Sequence, residues 1–269
     1  MPAVAFPRRR DSTTAAWRDL ALPFDEMDGE FKVSLRRALR DWWQENTARR
    51  GSGATLRAFL YELWGFLRES TPEQRRRRYG DVEYDWEHRV DTTSATVDWR
   101  ARLLGVFHSP YQATEPALFE EMLAALRIDF AEFIFIDLGS GKGRTLLMAS
   151  DYPFRKIIGV ELLPDLNQIA QENLRKYSNP NQKCRALESI CGDAYEFEFP
   201  AEPIVLYLFN PVSESGFARV IGNLERSLVT NPRKVLVLYH NPEHEEILTR
   251  SAKLIRTGGT HQFAIYEAV

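Results

Sequence analysis

Phe133-Ile-Phe-Ile136 runs directly into Asp137-Leu-Gly-Ser-Gly-Lys-Gly143 and then Arg144. The first four residues are continuously apolar, as a strand covered on both faces requires. Glycines at 139, 141 and 143 let the backbone turn sharply and approach a ligand with no Cβ in the way. The helical pattern that begins at Arg144 turns free N–H groups and a positive dipole end toward that ligand. A dinucleotide loop, Gly-x-Gly-x-x-Gly, places its third glycine where this chain has Arg144. Asp137 opens the motif; a carboxylate there repels a pyrophosphate but accepts hydrogen bonds from a cationic amino-acid ligand. A phosphate-binding P-loop is excluded too, because no Gly-Lys-Ser/Thr follows a four-residue spacer.

Outward from this loop, strand and helix signals alternate, which predicts an α/β fold around a mainly parallel sheet of seven strands. A helix is expected over Pro116–Arg127 with Leu118, Phe119, Met122 and Leu126 on one side. Further helices are expected over Arg144–Ser150 and Pro164–Tyr177, and one between the fourth and fifth strands. Strands are expected at Lys156–Val160, Glu188–Ile190, Ile204–Leu208 and Lys234–Tyr239. Lys253–Arg256 and His261–Tyr266 flank Gly258-Gly259 and read as a terminal antiparallel hairpin.

Two acids fall at the ends of the next two strands. Glu161 closes Ile157-Ile-Gly-Val-Glu161, and its distance from the glycine loop, about 20 residues, suits a carboxylate that grips both ribose hydroxyls. Asp193 lies in Cys191-Gly-Asp-Ala194. With Asp137, three acids converge at the carboxyl ends of successive strands, where open α/β sheets bind ligands; Glu161 and Asp193 could each instead be a solvated loop acid. Asp-x-Gly-Ser-Gly-x-Gly after a buried strand resembles the first motif of class I S-adenosylmethionine methyltransferases. That resemblance implies their Rossmann-like fold and S-adenosyl-L-methionine as cofactor. It implies contacts from Asp137, Gly139, Ser140, Gly141, Gly143 and Glu161. It also implies adenine contacts from Asp193 and Ala194, and no metal.

Asn210-Pro211 follows the fourth strand. Enzymes that methylate planar nitrogens have Asn or Asp, two prolines and an aromatic there; this chain has Val212 and Ser213 at the last two positions. Asn210 is therefore expected to line the methyl-transfer end as a cofactor contact and candidate catalytic residue, or else to start a turn ahead of Pro211. His240, after the fifth strand, is a candidate base, and Tyr207 or solvent are alternatives. Ser109-Pro-Tyr-Gln-Ala-Thr114 resembles the Tyr/Pro-x-x-Thr segment with which non-SET histone-lysine methyltransferases, and the enzymes acting on the ATP synthase c-subunit, cover their cofactor. Tyr111 and Thr114 would then be cofactor contacts, with a plain N-cap as the other reading of Thr114. The resemblance spans about Tyr111 to Pro211 and departs at Asn210-Pro-Val212, where the histone enzymes resemble Asn-Asn-Phe.

The first hundred residues fall outside it. Phe31, Val33, Leu35, Leu39, Trp42 and Trp43 predict one amphipathic helix, and Leu56, Phe59, Leu60, Leu63, Trp64 and Leu67 a second. Gly51-Ser-Gly53 separates them, with Ser52 or Thr55 as N-cap. Tyr79–Thr93 shows no period and is expected to be irregular or to hold short elements. Within it Tyr84, Trp86, His88 and Asp91 are candidates to shape a substrate pocket, or form a packed connector. Arg75–Arg78 reads as a site for an acidic partner or as a solvated helix face. The division expected is a helical region over 1–105, serving as lid or recognition element, and a methyltransferase domain over 106–269.

The chain has 269 residues, 44% hydrophobic, 12% aromatic and 27% charged, the composition of a globular protein. A net charge of -3 implies no global pull on nucleic acid, so a nucleic-acid partner is not expected. Cys184 and Cys191 read as free thiols of a reducing compartment. No apolar run approaches the roughly 20 residues of a membrane span, and Met1–Arg10 has the wrong order for a secretory signal. A cytoplasmic enzyme is expected. The acceptor is a protein lysine or another macromolecule, or alternatively a small-molecule oxygen or nitrogen. A non-catalytic cofactor-binding scaffold is the reading of another class, and an NAD oxidoreductase is disfavoured by Arg144.

Overall fold

The computed structural model describes residues 35–69, 82–93 and 112–269; these belong to one compact unit, Val33–Val269. Phe31, Val33, Arg75–Arg78, Tyr79, Tyr111 and the boundary expected at 105/106 lie outside the described residues.

Seven strands make one sheet. In chain order they are β1 (Ile134–Leu138), β2 (Lys156–Glu161), β3 (Leu187–Cys191), β4 (Ile204–Leu208), β5 (Val235–His240), β6 (Leu254–Gly259) and β7 (Phe263–Ala268). Their spatial order is β3-β2-β1-β4-β5-β7-β6. The first five are parallel, and β7 is antiparallel to both β5 and β6. This keeps the Rossmann order 3-2-1-4-5 and ends it in an antiparallel hairpin. The order reverses between β1 and β4, the switch point at which such sheets open a crevice.

β1, β4 and β5 are buried along their whole length, which explains their apolar runs, interrupted only by Asp137 in β1 and closed by His240 in β5. One face, with Ile136, Leu206 and Val237, packs under α7 (Glu214–Thr230) through Phe217, Val220, Ile221 and Leu224. The other, with Phe135, Val205, Tyr207 and Leu238, packs under α4 (Pro116–Leu126) through Phe119, Met122 and Leu123. Phe119 meets the rings of Phe135 and Tyr207 edge-on. Burying each such side chain fully contributes about 1.5–3 kcal/mol.

α5 (Arg144–Ala149) and α6 (Pro164–Lys176) join β1 to β2 and β2 to β3. Pro164 occupies the first turn of α6, with Asp165 beside it and Arg175 and Lys176 in the last turn, the placement the helix dipole favours. Ahead of the sheet lie α1 (Leu35–Arg50), α2 (Ser52–Glu69) and α3 (Val82–His88). Trp42 and Trp43 both pack on Phe59 across the α1–α2 turn.

Two details differ from the sequence reading. Neither Ser52 nor Thr55 caps α2 from outside. Gly51 alone breaks the chain at φ +77°, and the Thr55 hydroxyl donates back to the Gly51 carbonyl. In the terminal hairpin, Gly258 and Gly259 lie inside β6 rather than in the turn. A register shift falls between Arg256 and Gly258. Gly259, at φ +118°, would bring a Cβ within 2.3 Å of the Phe263 carbonyl oxygen. The turn itself is residues 260–262, which takes His261 out of the strand.

Candidate functional site

The site is built at the carboxyl ends of β1, β2 and β3. After Leu138 the chain turns through Gly139, Gly141 and Gly143, all at positive φ, a region open to glycine at no steric cost. Gly139 has a second reason to be glycine, since a Cβ would lie 2.8 Å from Pro211 Cβ. The loop is tied to β2 by Gly139 and Ser140 N–H groups donating to the Val160 carbonyl. Gly159, paired with Asp137, leaves room for Ser140, whose Oγ lies 2.6 Å from where a Gly159 Cβ would stand. That Ser140 hydroxyl is buried with no hydrogen-bond partner among the described residues.

Glu161 reaches back to the loop. Its Oε2 accepts from the Gly141 N–H at 2.8 Å and its Oε1 from the Leu163 N–H at 2.8 Å. A carboxylate offers about four acceptor positions, so each oxygen retains capacity for a further donor. Burial pushes the Glu161 pKa up, against the lowering effect of these backbone N–H groups. Asp137, buried and hydrogen-bonded by the Thr145 hydroxyl, has its pKa raised to about 7. Burial is the main cause, the Thr145 bond opposes it, and the charge of Glu161 adds to it. Asp193 follows β3 half-buried, its Oδ1 accepting from the Tyr195 N–H at 2.8 Å, with Ala194 buried beside it.

Lys142 and Arg144 do not face this crevice as ligand-binding cations. Lys142, fully buried, donates to Asp91 Oδ1 at 2.8 Å and to the Thr93 carbonyl at 3.0 Å. Arg144 Nε donates to Thr92 Oγ1 at 2.7 Å, and its guanidinium lies 3.4 Å from Asp85 and 5.1 Å over the Tyr84 ring. Asp85 also accepts from the Thr92 and Thr93 N–H groups. Asn173 of α6 joins the two segments, donating to the Asp91 and Lys142 carbonyls and accepting from the Asp91 N–H. The segment Val82–Thr93 therefore underlies the glycine loop. Of the four residues singled out in it, Tyr84 and Asp91 hold loop cations, His88 packs on Tyr84 and Tyr177, and Trp86 is exposed.

At the β4–β5 side, Thr114 Oγ1, Tyr207 OH and His240 Nδ1 form a buried chain, 2.8 Å per link. Burial lowers the His240 pKa to about 4 and lifts that of Tyr207 well above its usual value. A neutral imidazole with that pKa is suited to hydrogen bonding more than to proton abstraction near neutral pH. His240 also stacks on Phe209, centroids 3.9 Å apart. Asn210, at φ +42°, uses both ends of its amide: Oδ1 accepts from Tyr239 OH at 2.7 Å and Nδ2 donates to the Asn241 carbonyl at 2.8 Å. Asn210 thereby clamps the loops after β4 and β5 together. Tyr111 lies outside the described residues.

The sequence reading missed the loop's anchors Asp85, Thr92, Thr93, Asn173 and Thr145. Only the unexpected arginine at 144 hinted at a carboxylate partner. Among the described residues, no group of three or more His, Cys, Asp and Glu side chains is gathered to hold a metal. None of their helices is long and apolar enough to cross a membrane. Cys184 is buried and Cys191 exposed, both as free thiols.

No family model matches this chain, and no curated protein does. Solved structures do. An RNA methyltransferase from Salinibacter ruber, in complex with S-adenosyl-L-homocysteine, is 21% identical over 58% of this chain and 92% of that one, with a TM-score of 0.40. A dimethyladenosine transferase from Plasmodium falciparum is 13% identical over 59% of this chain and 63% of that one, with a TM-score of 0.43. Precorrin-6y C5,15-methyltransferase from Geobacter metallireducens GS-15 is 15% identical over 58% of this chain and 89% of that one, again at 0.43.

Proposed function

We propose that this chain is an S-adenosyl-L-methionine-dependent methyltransferase. The observation that carries the reading is the positive-φ glycine turn at the sheet's switch point, flanked by Asp137, Glu161 and Asp193 on three adjacent strand ends. The donor set fits such a group. Glu161 retains acceptor capacity for two ribose hydroxyls, and Asp193 for an adenine amino group. Ser140 contributes a buried hydroxyl in want of a partner. A buried carboxylate at Asp137 gains from an arriving ammonium, which favours its charged form.

The sulfonium supplies a methyl already activated for in-line displacement, so the protein's work is positioning and desolvation. In this reading Gly139, Gly141 and Gly143 bring the backbone close, and Glu161 and Asp193 fix the nucleoside. Thr114, with Tyr111 by resemblance, closes over the cofactor. Asn210 and His240 act at the methyl-transfer end as positioning residues. Asn210 holds the loop after β4, and His240 orients Tyr207 and through it Thr114. The nucleophile's proton then passes to solvent.

For the acceptor we carry forward a protein lysine or another macromolecular nucleophile, on the likeness of Tyr111–Thr114; a small-molecule oxygen or nitrogen is the alternative. Net charge does not describe a local surface, so RNA belongs in the same experiment. Calorimetric titration with S-adenosylmethionine tests the cofactor. Binding is expected in the wild type and lost or strongly weakened in Asp137→Ala and Glu161→Ala; absent binding, or binding indifferent to both changes, overturns it. Labelled cofactor incubated with lysate, followed by separation of protein, RNA and metabolites, identifies the acceptor class. Tight binding with transfer to no fraction points to the scaffold.

A further inference from the structure

We propose that Val82–Thr93 is latched to the back of the glycine loop so that docking of this segment and cofactor binding are thermodynamically coupled. The inference rests on the cofactor reading above, but the latch is visible without it. Among the described residues, three ties converge on residues 142–144 from outside the loop. Lys142 reaches Asp91 and the Thr93 carbonyl, Arg144 reaches Thr92 and Asp85, and Asn173 binds the backbone of both segments at Asp91 and Lys142. Lys142 and Arg144 are almost wholly buried, at 0% and 2% exposure.

With this segment undocked the two cations lose these carboxylates and rehydrate, so these contacts no longer hold Lys142 and Arg144 turned back from the ligand face. Conversely, the segment retains its contacts to Tyr177 and Asn173 but loses those of Asp85, Asp91, Thr92 and Thr93 to the loop unless Lys142 and Arg144 point backward. They do so only while Gly141 and Gly143 hold their positive-φ turns, and that same turn places the Gly141 N–H on Glu161. One conformation thus serves both the ligand face and the latch face. The factor by which a ligand favours the docked segment must equal the factor by which docking favours the ligand.

Hydrogen exchange on the full chain reads this directly. Addition of S-adenosylhomocysteine is expected to slow exchange of the Thr92 and Thr93 amides, which donate to Asp85, by about five- to tenfold. Reciprocally, Asp85→Asn and Asp91→Asn are expected to weaken S-adenosylhomocysteine binding about five- to tenfold. The Asp91→Asn/Lys142→Met double variant should lose less than the two single changes together. Asp91 is the milder site, its side chain being 45% exposed. Glu172→Gln, in an exposed α6 ion pair with Lys176, is the control. Ligand that binds the wild type yet leaves Thr92 and Thr93 exchange unchanged overturns the coupling, as do single variants that bind as the wild type does. Should the wild type not bind S-adenosylhomocysteine, the proposed function fails and the latch is judged alone. Asp85→Asn must then speed exchange at Thr93 and Gly143 relative to the control, and equal rates overturn it.

Discussion

At the scale of single residues, Asp137 carries the most consequential chemistry. Its folded pKa of about 7 stands above the ordinary 3.8, so the folded state holds the proton more tightly than the unfolded chain does. The resulting stability is full below pH 3.8 and is lost as pH rises through about 7. Buried His240, its pKa lowered to about 4 from 6.5, acts in the opposite sense below pH 6.5, so the Asp137 contribution is read as a difference between two proteins. In urea unfolding between about pH 5 and about pH 7, the ligand-free wild type should lose stability relative to Asp137→Asn as pH rises; parallel curves would remove Asp137 as the cause. Gly159 gives a steric prediction. A Cβ there lies 2.6 Å from both Leu146 Cδ1 and Ser140 Oγ, so Gly159→Ala should cost about 1–3 kcal/mol by overpacking, measured as a lower urea midpoint. Asp137, Glu161 and the loop glycines could be picked out in sequence because they sit in the last residues of an apolar strand or just after it. The anchors of Lys142 could not, since nothing local marks Asp91 or Asn173 as its neighbours.

At the scale of elements, the strands were legible because burial on both faces leaves a continuous apolar run, as in β4 and β5. α3 was not, for a helix of 7 residues is too short to display a period. Its order comes from packing of Tyr84, His88 and Asp85 on distant partners. The β6–β7 hairpin was legible as a hairpin but not in its turn. Glycine pairs commonly mark hairpin turns, whereas here Gly259 lets two strands approach where no side chain fits. Gly259→Ala, strained at φ +118° and crowded by the Phe263 carbonyl, should cost about 1–3 kcal/mol and lower the melting temperature. It should leave cofactor affinity unchanged, because the hairpin stands at the sheet edge opposite β1–β3.

At the scale of the molecule, one sheet order determines where everything meets. β1 lies between β2 and β4, so its loop touches Glu161 on one side and Pro211 on the other. Ligand binding to such a preformed crevice should show as global stabilisation. At free S-adenosylhomocysteine about 100 times its Kd, the folded state gains about 2.7 kcal/mol. For a unit of this size that corresponds to a rise in melting temperature of roughly 5–10 °C. A scanning-fluorimetry titration checks it, and no shift at saturating ligand would count against the cofactor reading.

The sequence by itself determined the strand-loop-helix signal at Phe133–Arg144, the acids that close β2 and follow β3, and the α/β class. All of these are local: backbone conformation, burial and strand ends leave their mark within a few residues. Only the tertiary structure decided that Lys142 and Arg144 turn away from the crevice, that Asp85 and Asp91 meet them from 59 and 51 residues away, and that His240 is held neutral behind Tyr207. Those facts depend on which groups burial brings together and strips of water. Charge pairing and pKa follow from that company, which no single stretch of chain records.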